Sequence, residues 1–522
     1  MSLNGLIARN AAFLMLGQAL SWSLGLAFIW LVPRSVGAAA WGEWSLAGAI
    51  TAVVTSLAGL GLGTLLIKDV SREPARAGEY VSAALATQLM MSAPFAVIVG
   101  TFALVAHYPV HTRIVIAIVT AAALITFLTT PVTAALIGLQ KMHLNSLGTL
   151  ITSGLVSLAA ILLVKLAAVG IIAISLAAVA GATAAAAVQI VGLRRYARFS
   201  LKFNWPLIRH LVVGGLPYWS SGLFLSIYVW IDAVMLSLMT SNTEVGWYGA
   251  ATKLISTLGF LPYIITMAFF PAISHGYRHD RAAMGRLAQV SLRLLVSLGL
   301  PVVVGTAVVG PQIARLMYGW AFAPAGQILV VLSLTLLPMF VATLVNSFLI
   351  AADRQLVWTW VMGASCVLNP AINLVSISFF ERAYHNGALG ASYALLITDT
   401  LIGIAALVLL PKELWASVRA IVPAVGRAAA AAGLMGVLVW LLRDRSIIVQ
   451  IATGVISFSV AALVLMVFTP DDLSAARGLF RRFGARLGRV RPVSAPASES
   501  TVLSASTPLT EARLATASDE VA

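Results

Sequence analysis

Residues 214–239 read GGLPYWSSGLFLSIYVWIDAVMLSLM. The run is apolar almost throughout and carries one carboxylate, Asp232. Coiled as a helix rising about 1.5 Å per residue, it is long enough to cross a hydrocarbon core of about 30 Å. A charge at that depth is expensive, so the stretch points to the class of the chain and raises the question of what Asp232 does.

The remainder of the chain has the same character. Hydrophobic residues make up 60% of the 522 and charged residues 10%, with mean hydropathy +0.97. Soluble domains carry about a quarter charged residues, so this chain has too little polar surface to face water. Fourteen apolar runs, from 10–32 to 446–468, are separated by short loops of Gly, Pro, Asn and charge. Among them are 43–67, 210–238, 245–271, 287–309, 356–380, 387–410 and 420–442. Arg9 precedes a first run of ordinary length, which reads as a membrane span rather than a cleaved signal. The expected fold class is all-α: a polytopic membrane protein with about 14 transmembrane helices.

Charge gives an orientation. The chain has 33 Lys and Arg against 18 Asp and Glu, a net charge of +15. With the N-terminus in the cytoplasm, most basic residues fall on that side, including Lys68, Arg72, Arg76, Arg194, Arg195, Arg198 and Lys202. Arg34, Arg113, Lys165, Arg315, Arg382, Arg443 and Arg445 fall outside, and Lys253 and Arg293 fall within spans. This asymmetry is the positive-inside rule, so the basic balance calls for no nucleic acid. A bacterial-type inner (cytoplasmic) membrane with both termini cytoplasmic is expected. The lone cysteine, Cys366, has no internal partner for a disulfide. From residue 470 the chain turns basic and partly amphipathic (RGLFRRFGARLGRVR), suited to anionic headgroups, and then to Ser, Ala, Thr and Pro that read as disordered.

The chain also echoes itself. RSVGAAAWGEWSLAGAI (34–50) aligns with LMTSNTEVGWYGAATKL (238–254), placing Trp41-Gly42 on Val245-Gly246 and Trp44 on Tyr248. ALIGLQK (135–141) resembles FLIAADR (348–354), and Gly170 matches Gly387. Six runs separate each pair, an even number, so both halves cross the membrane in the same direction. The expectation is two parallel, pseudo-symmetric six-helix lobes, 1–200 and 201–412, followed by two helices at 413–469 and a tail at 470–522. Such lobes usually enclose a cavity that opens to either side in turn, and Pro217, Pro262, Pro301, Pro338 and Pro370 are placed to kink the helices involved.

Ordered motifs then carry a family likeness. The opening ARNAAFLMLGQALSWSLGLAFIWLVPRSVGAAAWGEWSLAGAI resembles that of the polysaccharide-biosynthesis flippases. GGLPYWSS, YVWIDAVML, TEVGWYGAATKLI and FFPAIS resemble the start of their second half, and LIAADRQ, LNPAINLVSI and HNGALGASYALLITD their eleventh and twelfth spans. The likeness covers residues 8–470 and places the chain beside the lipid II flippases and multidrug antiporters of the multidrug/oligosaccharidyl-lipid/polysaccharide (MOP) superfamily. It implies alternating-access transfer of a polyprenyl-diphosphate-linked oligosaccharide to the outer leaflet. Membrane lipids, and glycan polymerases or assembly proteins, are the further partners it implies, with a monomer expected. It also implies that the thirteenth and fourteenth spans form a groove for the polyprenyl tail.

That cargo needs cations for its diphosphate. Lys253 lies roughly 12 Å into its span by helical rise, where the lipid II flippases carry a cavity arginine. Lysine keeps the charge without the bidentate fork. Arg34, at a span rim, and Arg293, about six residues into the ninth span, are the other substrate-binding candidates; interfacial anchoring and snorkelling are their plainer readings. Asp232 has three readings. It pairs with Lys253 across adjacent helices; it joins Asn369, Asn373, Thr398 and Asp399 in an ion-coupling site for Na+ or H+, as the likeness implies; or these groups only pack. No cofactor is expected. An enzyme is disfavoured: the longest outer loop, 310–325, offers only Arg315 among charged residues, and no nucleotide loop or metal-ligand set appears. A cation-coupled multidrug antiporter and a non-transporting assembly scaffold are the competing functions.

Overall fold

Backbone groups in hydrocarbon must be satisfied within the segment, so apolar runs of this length fold as helices. The computed structural model describes residues 3–165, 170–199, 203–279, 281–411 and 414–468. The tail read at 470–522 lies outside the described residues. In chain order the helices are α1 (Leu3–Ala58), α2 (Leu62–Arg72), α3 (Ala77–Val105), α4 (Val110–Gly138), α5 (Met142–Lys165), α6 (Ile171–Arg194) and α7 (Trp205–Met239). There follow α8 (Asn242–Leu258), α9 (Phe260–His279), α10 (Arg281–Tyr318), α11 (Ala323–Ala351), α12 (Gln355–Tyr384), α13 (Gly387–Leu409), α14 (Trp415–Leu441) and α15 (Ile447–Val464).

Among the described residues, thirteen helical segments are long and apolar enough to cross a membrane. The first belongs to α1, which holds two of the fourteen apolar runs. They meet at Gly37, whose φ of 84° is open to glycine and interrupts the helix. The chain is an all-helical polytopic membrane protein.

Two expected boundaries shift, and a third span carries an internal turn. The run 43–67 is not one span: α1 stops at Ala58, the chain turns through Gly59-Leu60-Gly61, and α2 begins. Leu62, Leu65, Leu66 and Val70 of α2 are buried while Lys68 and Arg72 face outward, the spacing of an amphipathic helix. The run 245–271 stands as one span, Asn242–Phe270, with a one-residue turn at Gly259 where α8 gives way to α9; Pro262, near the start of α9, has no N–H to give to a continuous helix. The expected loop 310–325 is largely helical, because α10 continues to Tyr318 and a single turn, Trp320–Phe322, leads into α11.

Connections alternate between two ends of the bundle. One end, which we call the Gly42 end, carries the turns after α3, α7 and α12; the other, the Gly61 end, carries those after α2, α4, α6 and α11. α3 to α6 pack chiefly on one another and on α1, and α10 to α13 do likewise with α7 and α8. α1 lies against both α7 and α8, so it joins the two sets. α14 and α15 pack on α10 and on each other.

Candidate functional site

α7 carries Tyr228 and Asp232 one turn apart and therefore on one face. Asp232 is only 1% exposed. Its Oδ2 accepts a hydrogen bond from the Tyr248 hydroxyl of α8 at 2.8 Å, and its Oδ1 accepts from Asn373 Nδ2 of α12 at 2.7 Å. The same Asn373 nitrogen donates to Asn369 Oδ1 at 2.9 Å. Three helices thus meet at one carboxylate, and its donors Tyr248 and Asn373 are both neutral.

Two amide atoms in this cluster are left over. Asn373 Oδ1 and Asn369 Nδ2 are buried with no hydrogen-bond partner among the described residues, and both side chains are fully buried. A buried polar group without a partner costs about 1–3 kcal/mol, so such an arrangement signals a use. A half-turn of the Asn373 amide would aim its oxygen at the Asp232 side. The same residues then serve as donors to a bare carboxylate or as oxygen ligands to a hard cation.

Asp399 of α13, also buried, accepts a hydrogen bond from the Tyr228 hydroxyl. Tyr228 therefore links Asp399 to the helix that holds Asp232. Thr398 is fully buried, but its hydroxyl donates to Ala394 O at 2.9 Å within its own helix. Of the five expected ion-coupling residues, Asp232, Asn369 and Asn373 come together directly, Asp399 joins through Tyr228, and Thr398 is turned to its own backbone.

The expected cations sit elsewhere. Lys253 is exposed on α8 and makes no ion pair among the described residues. It does not pair with Asp232, and the helix explains why: five residues after Tyr248, it is turned about 140° from the side chain that reaches the carboxylate. Arg34 is exposed on α1 beside Gly319, in the connection after α10. Arg293 is buried on α10, so it does not snorkel in this conformation.

Several polar residues were not singled out from sequence. The phenols Tyr228 and Tyr248 are one group; tyrosine in a membrane helix usually reads as an interfacial anchor. Glu43 of α1 accepts from Thr112 Oγ1 and meets His111 Nδ1, both at 2.8 Å. Glu244 accepts from Gly387 N at 2.6 Å at the start of α13, and its own helix begins with Ser241 as N-cap. The sequence signal was present there, since SNTE (241–244) has the capping-box spacing. Arg427 was likewise passed over inside the thirteenth run; its Nε is buried without a hydrogen-bond partner among the described residues.

With this geometry in place, comparison with known proteins is informative. Residues 7–276, just over half of the chain, match the family described as "Polysaccharide biosynthesis protein". The "Probable flippase AglR" of Haloferax volcanii is 30% identical over 229 residues, covering 42% of this chain. That match spans 46% of AglR, so the chain aligns with less than half of this relative. Among solved structures, "Lipid II flippase MurJ, inward closed conformation" superposes with a TM-score of 0.68 at 14% identity, covering 86% of this chain and 98% of that one. An inward-facing MATE multidrug resistance transporter of the MOP superfamily gives 0.61 at 16% identity, covering 79% and 99%. At such identities the structural likeness is one of fold.

Proposed function

The chain belongs to the polysaccharide biosynthesis protein family, and on that basis we propose that it is a flippase carrying a polyprenyl-diphosphate-linked oligosaccharide from the cytoplasmic to the outer leaflet. It is a transporter rather than an enzyme, and it works by alternating access driven by a cation gradient. The observation that carries the reading is the pair of facts at α7 and α8. Asp232 is satisfied by Tyr248 and Asn373, and Lys253 is left exposed with no ion pair among the described residues. A lysine without an ion pair is open to a diphosphate, which it would meet as a point charge.

The carboxylate in turn lacks a counter-charge. Asp232 and Asp399 are desolvated, and a buried ion without a partner costs several kcal/mol even after relaxation. Hydroxyl and amide donors offset part of that penalty. A sodium ion or a proton completes the offset, with Asp232, Asn369 and Asn373 as the holding groups and Asp399 coupled through Tyr228. Arg34 and Arg293 are proposed as secondary contacts to the cargo or its lipid, and Thr398 as a helix-packing residue near the site. With the N-terminus in the cytoplasm, the Gly61 end faces the cytoplasm and the Gly42 end faces outward.

The test is flipping of a lipid-linked oligosaccharide in proteoliposomes by wild type, Lys253→Ala and Asp232→Asn. Loss in Lys253→Ala with normal folding assigns the head-group contact. Loss in Asp232→Asn only under an imposed Na+ or H+ gradient assigns coupling. If wild type moves no lipid-linked glycan, the flippase reading fails and the antiporter or scaffold takes its place.

A further inference from the structure

The residues that the internal repeat aligns, Gly42 and Gly246, lie directly against each other. A Cβ added to Gly42 would sit 1.8 Å from the Asn242 carbonyl oxygen and 2.9 Å from Gly246 N. One added to Gly246 would sit 1.9 Å from the Ala38 carbonyl oxygen and 3.1 Å from Gly42 N. Backbone meets backbone here, so no side chain can swing aside to admit the extra carbon.

The opposite end has its own pair. A Cβ on Gly61, whose φ is +67°, would lie 2.3 Å from the Gly215 carbonyl oxygen and 2.8 Å from Trp219 N. A Cβ on Gly215 would lie 2.2 Å from the Leu60 carbonyl oxygen. Each contact joins a residue of the first half of the chain to one of the second.

Hydrogen bonds independently cross the same two places. At the Gly42 end, Asn242 Nδ2 donates to Thr112 Oγ1 at 3.1 Å, and Tyr108 and Ser237 hydroxyls meet at 2.6 Å. At the Gly61 end, Trp219 Nε1 donates to the Leu57 carbonyl at 3.0 Å, and His210 Nε2 meets Asp69 Oδ2 at 3.1 Å. Asn242 and Trp219 each supply both a backbone atom to the glycine contact and a side chain to the bond beside it.

We propose that these two glycine contacts are the two seals of the transporter, Gly42–Gly246 closing one end and Gly61–Gly215 the other, and that each is broken in turn during the cycle. The inference rests on the alternating-access reading but not on the identity of the cargo. Only hydrogen at these four positions lets the halves close to backbone distance. A single methyl therefore acts as a wedge at one end and leaves the other end free to close, shifting a two-state balance without touching the cargo or ion sites.

The test measures shape. In full-length protein carrying Cys366→Ala, spin labels on Ala39→Cys and Arg382→Cys report the Gly42 end, and labels on Arg72→Cys and Arg209→Cys report the Gly61 end; all four positions are exposed. Distances are read by pulsed electron resonance in nanodiscs. Gly246→Ala is expected to raise the population of the wide Ala39–Arg382 distance roughly tenfold and to leave the second pair closed. Gly215→Ala is expected to do the reverse. Gly48→Ala, on α1 with Gly42 but with nothing within 4 Å of the added carbon, is expected to move neither.

Gly249→Ala is the milder wedge should Gly246→Ala not fold. Its added carbon meets the Ser45 hydroxyl at 2.5 Å, which can rotate away, and Ser45 Cβ at 2.9 Å, with no backbone atom among its nearest contacts, so a smaller widening of the same end is expected. The proposal is overturned if the folded wedge variants leave the distances as in wild type, or if one wedge widens both ends together. Because no arm reads transport, failure to flip a glycan lipid sinks the functional reading and leaves this one standing.

Discussion

Asp232 was the most legible residue in the chain because an acid in an apolar run has few cheap explanations. Its amide partner Asn373 was legible for the same reason, as a polar group in a span. Its phenol partner was not. Tyrosine is amphipathic, so nothing in the sequence separates an anchoring Tyr248 from one that donates to a buried carboxylate. The structure gives that distinction a measurable consequence. Tyr248→Phe removes a hydrogen bond to a charged group, and should destabilise the protein by about 1.5–3 kcal/mol in denaturant unfolding of the detergent-solubilised chain. Lys253→Ala should behave in the opposite way. An exposed side chain without a partner should change stability by no more than about 0.5 kcal/mol. Its loss should still slow flipping at least about tenfold, as expected when a charge-assisted contact of about 1.5–3 kcal/mol is lost. A Lys253→Ala variant that flips at the wild-type rate would remove the lysine from the site.

Helices were legible as runs, and their ends were legible where Gly, Asn or Pro marks them. Ends made by other residues were harder to place. α4 closes with Gln140 at φ 58°, Gln140 N donating to Ile137 O at 2.9 Å and Lys141 N to Leu136 O at 2.7 Å. α11 closes in the same way with Asp353 at φ 55°, donating to Ile350 O at 3.1 Å, and Arg354 N to Leu349 O at 2.8 Å. Both are Schellman ends, at the positions where ALIGLQK and FLIAADR align. Neither carries the expected glycine, which is why the resemblance between the two heptapeptides said more than their composition. A left-handed conformation costs a residue with a side chain about 1–2 kcal/mol, partly offset by the entropy glycine loses on folding. Gln140→Gly should therefore stabilise by up to about 1 kcal/mol, seen as a higher melting temperature. Asp353→Gly should gain less, because aspartate tolerates this conformation. If Asp353→Gly gains more, contacts of the Gln140 side chain, rather than backbone strain, govern that turn. The run 43–67 misled for the complementary reason: GLGLG (59–63) alternates breakers with leucines, so hydropathy continues through a turn.

At the scale of the molecule, the repeat explains where a coupling site can stand. The offset that places Gly42 on Gly246 also places Phe28 on Asp232 and Trp44 on Tyr248. Where the second half makes a phenol–carboxylate bond, the first half packs Phe28 and Trp44 with ring centroids 6.2 Å apart. One geometry thus carries a polar contact in one half and an aromatic one in the other, so the proposed coupling residue Asp232 has no polar counterpart at the aligned position of the first half. The last two helices stand outside this symmetry. α14 and α15 pack on α10 and each other, through small residues such as Ala428, Ala431 and Gly436, the last of which would bring a Cβ to 2.6 Å from Val304. Close packing of small residues is how helices associate where lipid removes the hydrophobic drive. Because α10 is the one other helix on which they pack closely, a chain ending after Pro411 should still fold, giving a monodisperse particle that keeps the helical circular-dichroism signal of α1 to α13. If these helices cradle a long polyprenyl tail, that truncated chain should flip a short-tailed substrate at close to the full-length rate and a long-tailed one far more slowly. Equal slowing of both substrates would instead make α14 and α15 a brace for α10, the helix on which α14 packs.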